Sequence, residues 1–161
     1  MSQTQDESTW KRWWSELAHH KGDRAQLRRC QTVLDVALTP AFHTVLKRLG
    51  SKLNEKDRDR AALVVGVLAH VEQDLSVHSF GKAMWGVGND EPTVSDLRFR
   101  RLLRLDEPNE LLRELKRAVR QVDGSAPINS LANDLMRWGD KAKKDWAFAY
   151  YENAKLQTEK S

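Results

Sequence analysis

The chain has 161 residues, enough for one ordinary domain built on one sizeable core. Hydrophobic residues supply 40% and charged residues 31%, and the formal net charge is +4. The single cysteine, Cys30, excludes an internal disulfide framework, and no run approaches the ~18 consecutive apolar residues of a membrane span. The opening MSQTQDESTWKRWW is polar where a signal peptide needs an apolar stretch, so the expected setting is cytoplasmic and away from any membrane.

Trp10, Trp13, Trp14 and Leu17 fall at i, i+3, i+4, i+7, one face of an opening helix. Gly22 is expected to break the chain, with Asp23 capping a second helix that reaches about Gln31. A short piece with Val33, Leu34 and Val36 follows. Thr39-Pro40 combines a capping hydroxyl with proline in the first turn, so a helix over AFHTVLKRL starts there and stops at Gly50. The charged stretch 51–60 reads as a linker or a frayed first turn.

The run AALVVGVLAHV, Ala61 to Val71, is the most apolar of the chain and predicts the buried central helix. Gly66 inside it points to close helix packing, at a propensity cost of roughly 1 kcal/mol relative to Ala. Residues 73–95 carry Gly81, Gly86, Gly88 and the turn Asn89-Asp90-Glu91-Pro92, which predicts a long loop with one helical turn near 79–84. Ser95 caps DLRFRRLLR, and Asp106 with Pro108 opens a helix to about Val122. After Asp123-Gly124-Ser125, two last helices cover Ile128 to Trp138 and Ala142 to Glu152, with a frayed tail LQTEKS. No hairpin dipeptide stands between alternating apolar runs, so no strand is expected. The predicted fold class is all-α: a compact helical bundle in two contiguous lobes, about 9–72 and 95–155, joined by the glycine-bearing loop at about 73–95.

Catalytic chemistry finds little support. Cys30 reads as a small buried hydrophobe. His19, His20, His43, His70 and His78 contain no i, i+4 pair of a helical zinc site, and His43 and His70 read as core histidines with satisfied ring nitrogens. Trp85-Gly86-Val87-Gly88-Asn89 lacks the Lys-Ser/Thr and the preceding strand of a phosphate loop. Asp57 and Asp59 lack the rest of a calcium loop. The expectation is no catalytic centre, no metal and no cofactor.

The charge is more informative. Residues 97–120 hold eight basic residues against four acids, which is the whole net charge. Arg98, Arg101 and Arg104 are spaced by three beside a core stripe of Phe99, Leu102 and Leu103; Arg100 adds a fourth cation. Arg113, Arg117 and Arg120 line one face of the next helix, opposite Leu111, Leu112, Leu115, Val119 and Val122. Arg24 and Arg28 are one turn apart, and Arg29 follows. Arg137, Lys141, Lys143 and Lys144 form a fourth group. Arg outnumbers Lys by fifteen to twelve, and its planar fork suits paired phosphate oxygens. Part of this charge is expected to pair along the helix, as Glu110 with Arg113 and Glu114 with Arg117. No base-reading motif accompanies it, so the faces suggest sequence-independent tracking of a polynucleotide backbone. Trp85 is the tryptophan placed to stack on a base or a partner; Trp10, Trp13, Trp14, Trp138 and Trp146 lie at core spacing.

Several segments, in order, resemble one known family: Trp13-Trp14, the run Gly22 to Arg29, Thr39-Pro40-Ala41-Phe42, Ser79 to Met84, Leu97 to Leu103, Leu131 to Trp138, and Trp146 to Tyr150. The chain resembles CasB, the small subunit of the type I-E CRISPR Cascade complex, from about residue 10 to 151. The resemblance implies an all-helical, non-enzymatic protein that sits beside other Cascade subunits with a second copy of itself. It implies basic surfaces that hold the crRNA–target DNA hybrid and the displaced strand, stabilising the R-loop. Arg24, Arg28, Arg29, Arg98, Arg100, Arg101 and Arg104 lie in matching segments. Arg113, Arg117, Arg120, Arg137, Lys141, Lys143 and Lys144 rest on face geometry. Segments 51–60 and 86–94 match no pattern of the family. A purely structural helical adaptor bridging other subunits is the alternative, and a nuclease would need carboxylate clusters that the sequence does not display.

Overall fold

The apolar stripes become ten α-helices among the described residues of a computed structural model, which covers 2–50 and 52–160, with side chains over 9–50 and 52–152. They are α1 (Ser2–Leu17), α2 (Lys21–Arg29), α3 (Val33–Ala37), α4 (Pro40–Leu49), α5 (Glu55–Leu68), α6 (Phe80–Trp85), α7 (Asp96–Leu103), α8 (Pro108–Gln121), α9 (Ile128–Met136) and α10 (Asp140–Lys160). The all-α class is thus observed.

Side chains fix most of the starts. Thr39 Oγ1 accepts from the Phe42 N–H, and Pro40 occupies the first turn of α4. Ser95 does the same for α7 through the Arg98 N–H. Thr32 and Asp35 form a reciprocal capping box on α3.

Four boundaries differ from expectation. Gly22 lies inside α2, which starts at Lys21 after His20 without a side-chain cap. Asp23 sits in the first turn instead, where its charge meets the positive end of the helix. Asn54 caps α5 by accepting from the Asp57 N–H at 2.8 Å, so most of 51–60 is the first turn and a half of the central helix. Glu107, not Asp106, caps α8, and Asp106 instead meets Lys143. Helix α10 begins at Asp140 and continues through Lys160 where a frayed tail is expected.

Helix α5 is the axis of the core. Its residues Ala61 to Leu68 are all buried, and it packs on α3, α8 and α9. A Cβ on Gly66 would stand 2.8 Å from Leu112 Cδ1 and 3.2 Å from Val36 Cγ2, so the missing side chain is what lets α3 and α8 approach. Buried residues from Trp10 to Tyr150 form one continuous hydrophobic cluster.

One element has no sequence signal. β1 (Gln73–Asp74) pairs in parallel with β2 (Ser125–Ala126), Gln73 opposite Ser125 and Asp74 opposite Ala126. Two residues are too few to show an alternating pattern. The pair has a consequence for α9, because Asp74 Oδ1 accepts from the Ile128 N–H at 3.0 Å and so caps that helix from a distant segment.

The glycine-bearing segment is more ordered than expected. Beyond α6 the chain folds back, with the Val94 N–H donating to Met84 O and the Thr93 N–H to Trp85 O. Gly86 (φ +101) makes the turn. Trp85 is buried, its indole N–H donates to Asn89 O at 3.1 Å, and its ring meets Tyr150 edge-on. It cannot stack on a base from there. The apolar cost of exposing an indole decides its place, and the flanking glycines let the chain close over it.

Candidate nucleic-acid interface

Helices α2 and α8 bring cations from distant parts of the chain to one place. Arg28 Nε donates to Ala69 O at 2.7 Å, beyond the end of α5, and its Nη2 lies 3.8 Å from Glu72 Oε1. Lys116 Nζ donates to Cys30 O at 2.7 Å. Both cations are therefore anchored by neutral carbonyls, which orient them without cancelling their charge. Burial lowers the Lys116 pKa from its ordinary value.

Arg28, Lys116 and Arg120 line a groove of about 510 Å³ with His70, Glu72 and Asp123. Lys116 and Arg120 also line an adjoining groove of about 400 Å³ with Arg113, Arg117 and Asn109. Five cations from two helices thus border two grooves that share Lys116 and Arg120. One carboxylate opposes two of them: Glu114 lies 3.8 Å from both Arg113 and Arg117. The expected partner of Arg113, Glu110, makes no ion pair among the described residues, and Glu114 takes its place.

The other expected positions are distributed. Along α7 and at its C-cap, Arg98, Arg100, Arg101 and Arg104 are all exposed. Arg100 pairs with Asp96 at 3.0 Å, whereas Arg98, Arg101 and Arg104 have no ion pair among the described residues. Neither α8 groove includes a residue of α7. On α2, Arg24 is half-buried and Arg29 exposed. Near the last turn, Lys143 is largely enclosed, 2.6 Å from Asp106 and 5.9 Å above the Trp138 ring. Lys141 pairs with Asp145 at 3.1 Å, and Arg137 and Lys144 are exposed.

Two groove residues lie outside the expected set. Lys116 is one turn before Arg120 on the flank of the α8 core stripe, a spacing that could have marked it. His70 is not the satisfied core histidine expected. It is partly buried at the groove, and its Nε2 is enclosed with no hydrogen-bond partner among the described residues. His43 is also not in the core: it is exposed, its ring N–H meeting Ala37 O at 2.7 Å.

Cys30 is buried, and desolvation pushes its thiol pKa up, away from the reactive thiolate. Among the described residues no three His, Cys, Asp or Glu side chains stand close enough to hold a metal, and no helix is long and apolar enough to cross a membrane.

The fold and its grooves define a small all-α protein with a cation-lined surface. Its residues 23–151 match the model of the CRISPR-associated protein Cse2 family, and the chain belongs to that family. In structure it is similar to a chain of the E. coli Cascade complex solved with a PAM-containing dsDNA target, with 21% identity and a TM-score of 0.72 over 93% of this chain and 94% of that one. It is also similar to CasB from Thermus thermophilus, with 21% identity and a TM-score of 0.71 over 91% of this chain and 97% of that one. A comparison with curated protein sequences finds no match.

Proposed function

We propose that this chain is a non-catalytic, cytoplasmic small subunit of a Cascade-type surveillance complex. In this reading it sits with a second copy of itself beside other subunits. It stabilises the crRNA–target DNA hybrid and the displaced strand by sequence-independent phosphate contacts. The observation that carries the reading is the gathering of Arg28, Arg113, Lys116, Arg117 and Arg120 around two adjoining grooves, where Lys116 and Arg120 have no ion pair among the described residues and the carboxylates facing the other three stand 3.8 Å away. The guanidinium groups of Arg98 and Arg101 on α7 and of Arg104 at its C-cap, without an ion pair among the described residues, supply a second, separate contact row. Family membership and the likeness to a chain of a DNA-bound complex support it.

The energetics fit such a role. Exchanging a DNA duplex for an RNA–DNA hybrid is nearly balanced, so modest backbone contacts can tip it while the guide reads the sequence. The test is target-DNA affinity of the assembled complex at several salt concentrations, with Arg101→Ala/Arg104→Ala and Arg117→Ala/Arg120→Ala variants. Each pair should weaken binding and reduce the slope of log affinity against log salt by about 2, roughly one per lost phosphate contact. Unchanged affinity and slope in both variants would leave the structural adaptor as the better reading.

A further inference from the structure

The groove between α2, the end of α5 and α8 contains a group that phosphate contacts alone do not explain. His70 follows α5 directly, and Arg28, Lys116 and Arg120 border the same groove. Its Nε2 is buried with no partner among the described residues, an uncommon state for a polar atom. Glu72 and Asp123 are the two carboxylates at this groove. Both are exposed, and Glu72 reaches Arg28 only at 3.8 Å. The groove is therefore cationic and open, with the imidazole beside it.

We propose that this groove seats one phosphate group of a bound polynucleotide against Arg28, Lys116 and Arg120, and that seating it lets His70 take up a proton from solvent. The proposal rests on the nucleic-acid reading and adds to it a particular phosphate site and a proton linkage.

In the free protein, burial first, and then the charges of Lys116, Arg28 and Arg120, push the His70 pKa down to about 4. At neutral pH the ring is uncharged. A phosphate between the three cations cancels much of their repulsion but leaves the burial penalty, so the pKa rises part of the way toward the ordinary value. Because the bound form then holds more protons than the free form, affinity must increase as pH falls from about 6 toward about 4. Arg28 and Lys116 are already oriented by Ala69 O and Cys30 O, so little ordering is needed when the anion arrives.

The test follows the His70 ring signals by NMR in the full-length protein from pH 4 to 8, with and without a short oligodeoxythymidylate, which has no group titrating in that range. With the oligonucleotide bound, the His70 titration should move up by about one unit. His70→Gln should still bind at pH 7 and should lose the gain in affinity, about fivefold in the parent protein, between pH 6 and pH 4. If the oligonucleotide binds with normal salt dependence and the His70 curve does not move, this inference fails while the nucleic-acid reading stands. If no oligonucleotide binds even at low salt, both fail. A free protein whose His70 is already protonated at pH 6 also overturns it.

Discussion

Arg60 turns its charge inward, which no pattern in the charged segment 51–60 announces. Its Nη1 donates to Met136 O at 3.0 Å and its Nη2 to Trp138 O at 3.1 Å. These carbonyls lie at and just beyond the C-terminal end of α9, where backbone acceptors lack helical donors and a cation is favoured. Arg60→Ala should destabilise the fold by about 1–3 kcal/mol, read from the urea midpoint, because two acceptors lose a charged donor. Arg60→Lys should recover only part, since an ammonium lacks the fork that reaches both carbonyls. His70 gives a second effect at this scale. Its folded pKa, about 4, lies below its unfolded value, so between these limits the unfolded chain binds more protons. Stability should therefore fall as pH drops from about 6.5 to about 4, by about 1–2 kcal/mol after allowing for solvent screening, and His70→Gln should remove that part of the slope. Residue chemistry of this kind was hidden in the sequence, because burial and distant carbonyls decide it. Trp85 shows the same limit: its glycine neighbours suggested exposure, and the fold-back of Thr93 and Val94 buries it.

Elements were more legible where a cap and an apolar stripe coincide. Thr39-Pro40 and Ser95 start α4 and α7 as their chemistry requires, and the apolar run of α5 is the buried axis. Boundaries failed where two acids or two polar residues competed for one cap, as with Asp106 and Glu107. Two glycines separate the causes of tolerance at this scale. A Cβ on Gly81 in α6 would fall onto the backbone carbonyl of Trp146 in α10, and backbone cannot yield as a side-chain end can. Gly81→Ala should therefore cost about 3 kcal/mol in a denaturant titration. Gly22 in α2 has no heavy atom within 4 Å of a built Cβ. Gly22→Ala should stabilise by up to about 1 kcal/mol, from helix propensity and a less flexible unfolded chain. The two substitutions are chemically identical, so the opposite signs isolate the α6–α10 approach.

Across the whole molecule, charge segregation is the property that sequence revealed and the fold redistributed. The segment 97–120 carries the net charge of +4, yet its two helices do not share one groove: α8 joins Arg28 of α2, and α7 presents a separate row. Lys143 and Lys144 differ by one position and illustrate the sorting. Lys143 ties the start of α10 to Asp106 and lies over Trp138, whereas Lys144 is exposed. Lys143→Ala should therefore lower stability by about 1 kcal/mol and scarcely change polynucleotide affinity, while Lys144→Ala should do the reverse. The same sorting bounds what the isolated protein can do. Two exposed cation groups without a shared groove should bind DNA or RNA of any sequence weakly, with log affinity falling linearly against log salt. The slope should be about −3 to −5, as a handful of released counterions requires. Titration of the isolated chain with unrelated single-stranded DNA and RNA from 50 to 200 mM salt (about fourfold) checks this. A slope near zero would mean that the exposed arginines meet acidic protein surfaces instead, and a steep slope confined to one base sequence would require base contacts that neither groove is built to make.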